Sequence, residues 1–192
     1  VQPLHARCDV VTDTMIIDVT LVPEVNAGLD STICSTESYT LKGSSNVTVE
    51  WTTSGTGTFT PNATTATAVY TPSAADINDG QVQLTITTTA SGDCENITDV
   101  MTLTFWRQAT VYAGINAAIC GNGTYQVLDA TAADYASFSW TKTGTSTGSI
   151  LSGANTLTPV YTAGGAGIDT LILTVQPLHA RCDVVTDTMI ID

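Results

Sequence analysis

Basic residues are nearly missing from this chain. Five Lys and Arg stand against eighteen Asp and Glu, for a net charge of −13 over 192 residues. Nucleic-acid binding needs cations to neutralise phosphates, and so does docking on anionic lipid, so neither is expected as a partner. Charged residues of both signs reach only 12%, about half the usual share. Thr, Ser, Asn and Gly supply the polar surface instead. Histidine occurs twice, as His5 and His179, and no His-x-x-x-His, Cys-x-x-Cys, Gly-x-Ser-x-Gly or Walker loop is present. A hydrolytic triad needs a base beside its nucleophile. The roles an enzyme requires are not filled, so no residue is assigned as catalytic. No apolar run approaches the ~20 residues of a membrane-spanning helix, so no membrane insertion is expected. Long helical periodicity is absent as well.

What the chain has is repetition. Residues 1–18 read VQPLHARCDVVTDTMIID, and residues 175–192 read the same eighteen letters. The start positions 1 and 175 set a period of 174 residues. A window cut from a tandem array and an engineered duplication both account for this identity. A weaker repeat lies inside the long one. VNAGLDSTIC at 25–34 matches VYAGINAAIC at 111–120, an offset of 86, and ASGDCENITDVMTL at 90–103 matches LHARCDVVTDTMII at 178–191, an offset of 88. The two offsets together make one period. The expected organisation is a terminal strand of a preceding repeat at 1–20, then modules at 21–105 and 106–192. On this reading residues 1–18 either lie free or pair with a neighbouring chain.

Each module reads as strands. Apolar residues alternate through Val47–Trp51, Gln81–Ile86 and Val100–Phe105, the period of a half-buried strand. Turn residues interrupt them at Ser54-Gly55-Thr56-Gly57, Asn78-Asp79-Gly80 and Ala163-Gly164-Gly165. About seven short strands per module predict an all-β chain of tandem immunoglobulin-like (PKD-like) antiparallel sandwiches. Ser73–Ile77 is the one stretch that reads as a helical turn, and Trp51 and Trp140 read as core. Modules this small gain from staples. The expected bridges are Cys34–Cys94 and Cys120–Cys182, each contributing about 4 kcal/mol by loop closure, with Cys8 unpaired in this stretch of chain. Cysteines in pairs suit an oxidising, extracytoplasmic location. The short junction Phe105-Trp106-Arg107-Gln108 predicts a semi-rigid array, with Trp106 packed between modules.

Ala27-Gly28-Leu29-Asp30, Trp51 to Phe59, Tyr70 to Leu84 and Cys94 to Leu103 together resemble the PKD-like and immunoglobulin-like repeats of giant bacterial surface adhesins, especially the SprB-like adhesins of gliding bacteria. The likeness covers essentially the whole chain. In the second module Asn116 replaces the aspartate, and Ala163 to Gly167 replaces the Pro-Ser-x-x-Asp turn. The resemblance implies an extracellular filament associated with the outer membrane, exported by the type IX route and attaching cells to surfaces during gliding. Its partners would be neighbouring repeats of the same chain, an external surface or polysaccharide, and motility and secretion machinery elsewhere in the parent protein.

Few residues carry chemistry. No metal or cofactor is expected, although Asp30, Asp76 and Asp79 are candidate calcium ligands because carboxylates beside a turn glycine suit a hard cation. A distal bidentate Glu is missing. Asp followed by Ser or Thr resembles the O-glycan acceptor of bacteria carrying such adhesins, which marks Thr14, Ser31, Thr170 and Thr188; an ordinary alternating strand explains the same pattern. The alternative functions are a passive spacer of a secreted or surface-layer protein and a carbohydrate-binding module. The latter requires an exposed flat row of aromatics containing Tyr112, Tyr125 or Tyr135.

Overall fold

The computed structural model describes residues 11–19, 21–89 and 95–192, the side chain of Leu151 excepted. The first module contains β1 (Val25–Asn26), β2 (Ser31–Cys34), β3 (Tyr39–Thr40), β4 (Ser44–Ser45), β5 (Val49–Thr53), β6 (Thr58–Thr60), β7 (Val69–Thr71), helix α1 (Ala74–Asp79), β8 (Gln81–Thr88) and β9 (Thr98–Trp106). The second contains β10 (Thr110–Tyr112), β11 (Thr124–Gln126), β12 (Thr131–Ala133), β13 (Tyr135–Gly144), β14 (Ser149–Ser152), β15 (Val160–Thr162), β16 (Asp169–Pro177) and β17 (Val185–Ile191).

In the first module a four-stranded sheet, β2-β9-β8-β5, faces the three-stranded β3-β7-β6, with β1-β4 as a short third pair. The second module repeats this arrangement as β13-β16-β17, β11-β15-β14 and β10-β12. Among the described strands all pairings are antiparallel except β2 with β9, which run parallel with Cys34 opposite Trp106. At the corresponding place in the second module only one parallel bridge forms, Ala117 to Ile191.

Alternation decides what is buried. Along β8, Val82, Leu84, Ile86 and Thr88 point inward, and along β9 so do Met101, Leu103 and Phe105. Their counterparts on β16 and β17 are Leu171, Leu173, Val175, Met189 and Ile191. Each such side chain contributes about 1.5–3 kcal/mol by leaving water. Trp51 and Trp140 sit in their cores as expected. Each indole N–H donates to a loop carbonyl, of Ala66 at 3.1 Å and Thr156 at 3.0 Å, so burial leaves no donor orphaned.

The helical turn expected at Ser73–Ile77 is α1. Ser73 caps it and Asp76 completes a capping box. Gly80 ends it in the left-handed region (φ 81°), which a residue with a Cβ resists. The second module has three glycines in the matching stretch, and glycine is a poor helix former; no helix forms there. Among the described residues no helix is long and apolar enough to cross a membrane.

The segment before the first module lies free where the structure describes it. Residues 11–19 form no strand and are exposed throughout, although 11–18 repeat the letters of 185–192. They are not inserted into the first core.

Candidate functional site at the module junction

The two modules meet where β9 ends. Trp106 lies flat on His179, ring centroids 3.6 Å apart and planes 12° from parallel. His179 belongs to the loop that joins β16 to β17, so this loop of the second module reaches back to the end of the first. Gln108 straddles the seam: its side-chain amide donates to the Asp183 carbonyl at 2.6 Å and accepts from the Asp183 N–H at 3.1 Å. The Gln108 backbone N–H donates to the Ser35 hydroxyl at 3.0 Å, and the Ser35 N–H to the Trp106 carbonyl at 2.7 Å. Arg107 reaches the Asn78 carbonyl at the end of α1. Trp106 therefore packs between modules as expected.

Cys34 is disulfide-bonded to Cys182, with Cα atoms 5.2 Å apart across 148 positions of sequence. This overturns both expected bridges, Cys34–Cys94 and Cys120–Cys182. The reason is strand geometry. Cys34 stands beside the last residue of β9, while Cys94 precedes its first residue. Nine residues of strand span about 30 Å, and a disulfide tolerates Cα separations of only about 4.4–6.8 Å. In the second module Cys120 lies at the far end of β17, where Ile119 N–H donates to the Asp192 carbonyl, and Cys182 precedes the near end. Cys120 is an exposed free thiol. Cys8 and Cys94 lie outside the described residues. The observed bridge closes a loop more than twice as long as either expected one, and the chain-entropy relation gives it about 5 kcal/mol.

The candidate calcium ligands do other work. Asp30 Oδ1 accepts from the Thr102 N–H at 2.7 Å. Asn116, which replaces it in the second module, accepts from the Ile190 N–H at 2.8 Å. A neutral amide does the same job, so the position serves as a tether between the entry loop and the last strand. Asp76 is fully buried, and its oxygens accept from Thr56 N–H, Ser73 N–H and the Tyr70 hydroxyl at 2.8, 3.0 and 2.7 Å. Asp79 ends α1. Among the described residues no cluster of three or more His, Cys, Asp or Glu is placed to hold a metal.

A feature that sequence reading missed is the pair of buried tyrosine–carboxylate contacts. Burial works to raise the Asp76 pKa, but its hydrogen bonds outweigh that and hold it below the ordinary value. Burial pushes the Tyr70 phenol up to about 12, and the neighbouring carboxylate adds to the effect. In the second module Tyr161 donates to Asp169, which comes from the first residue of β16 rather than from a helix. Burial opposes ionisation of Asp169 too. Hydrogen bonds from Ser146, Tyr161 and Lys142 overcome it and hold the carboxylate well below the usual range. Lys142 Nζ sits 2.9 Å from Asp169. Gly57 and Gly148 let the chain pass against the two phenols, where any Cβ would collide with the hydroxyl. The signal was available in Tyr70-Thr71 and Tyr161-Thr162, followed six and eight positions after the tyrosine by Asp76 and Asp169.

The glycan-acceptor candidates divide by exposure. Thr14 and Thr188 are exposed, whereas Ser31 and Thr170 are half-buried in β2 and β16. Asp187, beside Thr188, accepts from the Ala113 N–H at 2.8 Å, and Asp99 accepts from Ala27 N–H in the same way in the first module. Tyr112, Tyr125 and Tyr135 lie on three different sheets. Tyr125 and Tyr135 pack against the core, and Tyr135 meets Phe138 edge-on at 76°. These rings make no flat sugar-binding row.

No protein-family model and no curated protein sequence matches the chain. Solved structures do. The insect immune protein hemolin superposes with a TM-score of 0.51 at 10% identity, covering 89% of this chain and 46% of hemolin. This chain thus spans about half of that protein's length. Human protocadherin-24 repeats EC1-2 align over 90% of this chain and 98% of theirs, with a TM-score of 0.48 and 12% identity. Sidekick-1 immunoglobulin domains 1–5 align over 90% of this chain and 39% of theirs, at 0.42 and 12%. The fold is immunoglobulin-like.

Proposed function

We propose that this chain is a two-module strut from a long extracellular array, a non-catalytic adhesin segment of the SprB-like kind that attaches gliding cells to surfaces. Residues 1–20 are the tail of a preceding repeat, and 21–105 and 106–192 are successive modules. The observation that carries the reading is the Cys34–Cys182 bond, which joins one module to the next rather than stapling either internally. A bond in that position does little for a domain that works alone. In a filament under tension it keeps neighbours from parting. Its chemistry also suits an oxidising, extracytoplasmic location. Repetition then supplies reach and multivalency, and the acidic, lysine-poor surface keeps the array soluble. Exposed Thr14 and Thr188 are the positions most open to glycans.

Antibody against this segment, applied to live unpermeabilised cells and followed by time-lapse imaging, tests the proposal. Label that travels along the cell supports a motor-driven adhesin. Static label favours a passive spacer or surface layer, and absence of surface label overturns the filament. The strut itself is tested by pulling single molecules from their ends. The oxidised chain should withhold roughly 500 Å of contour length that reduction releases, the extended length of the residues enclosed by the bridge.

A further inference from the structure

The far end of the second module copies the near end up to a point and then stops short. Ser31 pairs with Leu103 as Ala117 pairs with Ile191. Ile33 continues opposite Phe105 and Cys34 opposite Trp106. In the second module Ile119 reaches the Asp192 carbonyl, leaving Cys120 exposed with a free thiol. Phe105 is buried at the end of the first core. Where its counterpart would stand, the second module has a cavity of about 270 Å³ lined by Ile119, Tyr161, Ala163, Ile191 and Asp192, among others. The period of 174 assigns Val19-Thr20-Leu21-Val22 to the positions after Asp192. In this structure Val19, Leu21 and Val22 are 85, 69 and 75% exposed, apolar residues with nothing to cover them.

We infer that this end face is the acceptor for a further module of the same array, with the Val19 that opens the next period in the cavity and Cys120 bonded to the Cys94 of the further module. The inference rests on the tandem reading above. Its strongest support is the spacing: one period beyond Cys94 lies 148 positions after Cys120, and the observed Cys34–Cys182 bond also spans 148. The pairs Cys34 with Cys182 and Cys120 with the next Cys94 use all four cysteines of a period and leave none over. Every junction is then laced to its neighbour. Forming the bond takes two thiols to one S–S bond with loss of two protons. The two electrons pass to a disulfide-bearing oxidant by thiol–disulfide exchange.

The test is a chain extended past Asp192 by a second copy of residues 19–105, with Cys8→Ser and Cys94→Ser in the original part. Non-reducing peptide mapping should find Cys120 joined to the Cys94 of the appended module, with loss of the Cys120 alkylation expected of the 192-residue chain. A folded appended module with Cys120 still alkylated overturns the inference and leaves the array reading to the live-cell labelling. An appended module that stays unfolded overturns it as well, because the face then accepts nothing. Mapping of the unextended chain supplies an independent check: Cys34 joined to Cys94, or Cys120 to Cys182, removes the basis of the lacing.

Discussion

VTDTMIID occurs at 11–18 and again at 185–192, and the two copies have opposite fates. Met15 is 79% exposed and Met189 is 0% exposed; Ile17 is 71% exposed and Ile191 2%. The second copy lies along β16 in seven-residue register, and its Asp187 carboxylate accepts the Ala113 N–H. The first copy has Asp13 capping only the next residue's N–H. Strand propensity is the same in both, so the difference lies wholly in the partner. A β-strand leaves its backbone groups unsatisfied until a neighbour supplies them, and its alternating apolar face gains nothing until a core receives it.

The largest effect that would break this comparison is deletion. Removing residues 185–192 should unfold the second module, seen as loss of one cooperative transition in denaturant, while removing 1–18 should leave both transitions in place. Next comes a single side chain. Met189→Ala should cost about 2–5 kcal/mol in the second transition, and Met15→Ala should be indistinguishable from the parent. Acid comes third. The folded Asp169 carboxyl lies below its ordinary value, so its stabilisation is present above the unfolded pKa of about 3.9 and fades as pH falls below it. Amide protection factors should therefore fall in β16 and 185–191 below about pH 4, with 11–18 unprotected at every pH. The Tyr70 phenol has the reverse sign. Its folded pKa of about 12 makes the neutral form stabilising below about pH 10 and lost as pH climbs toward 12. Alkaline melts should weaken the first module, and Tyr70→Phe should remove that dependence. A smaller effect is expected at Asp187→Ala, about 1–2 kcal/mol from orphaning the Ala113 N–H, against none at Asp13→Ala. The smallest is Asn116→Asp. It should change the second transition by under about 0.5 kcal/mol because the acceptor oxygen is kept, whereas Asn116→Ala should cost about 1 kcal/mol.

Period-2 patterning at Val47–Trp51, Gln81–Ile86 and Val100–Phe105 falls on the strands Val49–Thr53, Gln81–Thr88 and Thr98–Trp106, because a half-buried sheet writes its two faces into alternate letters. Trp51, Trp140 and the junction role of Trp106 were legible for similar reasons. The cysteines were not. Their spacing suggests a bridge inside each module. What forbids it is that β2 runs parallel to β9 and carries Cys34 to the strand's last residue, Trp106, whereas Cys94 precedes its first residue, Thr98, in sequence. The roles of the acids were not legible either. Asp30, Asp76 and Asp79 look like ligands in a list of oxygens, but the oxygens of Asp30 and Asp76 accept N–H and O–H bonds. The exchange of Asp30 for Asn116 between modules carried that message, since a calcium ligand gains from charge and a backbone tether does not require it.

By itself the sequence determined that this is a repeating all-β chain, poor in cations and with a strand face marked in every second residue. These are local properties, set by side-chain polarity and backbone preference. Tertiary structure alone decided which copy of an identical segment becomes a strand, which cysteine meets which, and which carboxylate goes into a core. Each of those depends on contacts between residues far apart in sequence, and the 148 positions between Cys34 and Cys182 are bridged only when both modules have folded and docked.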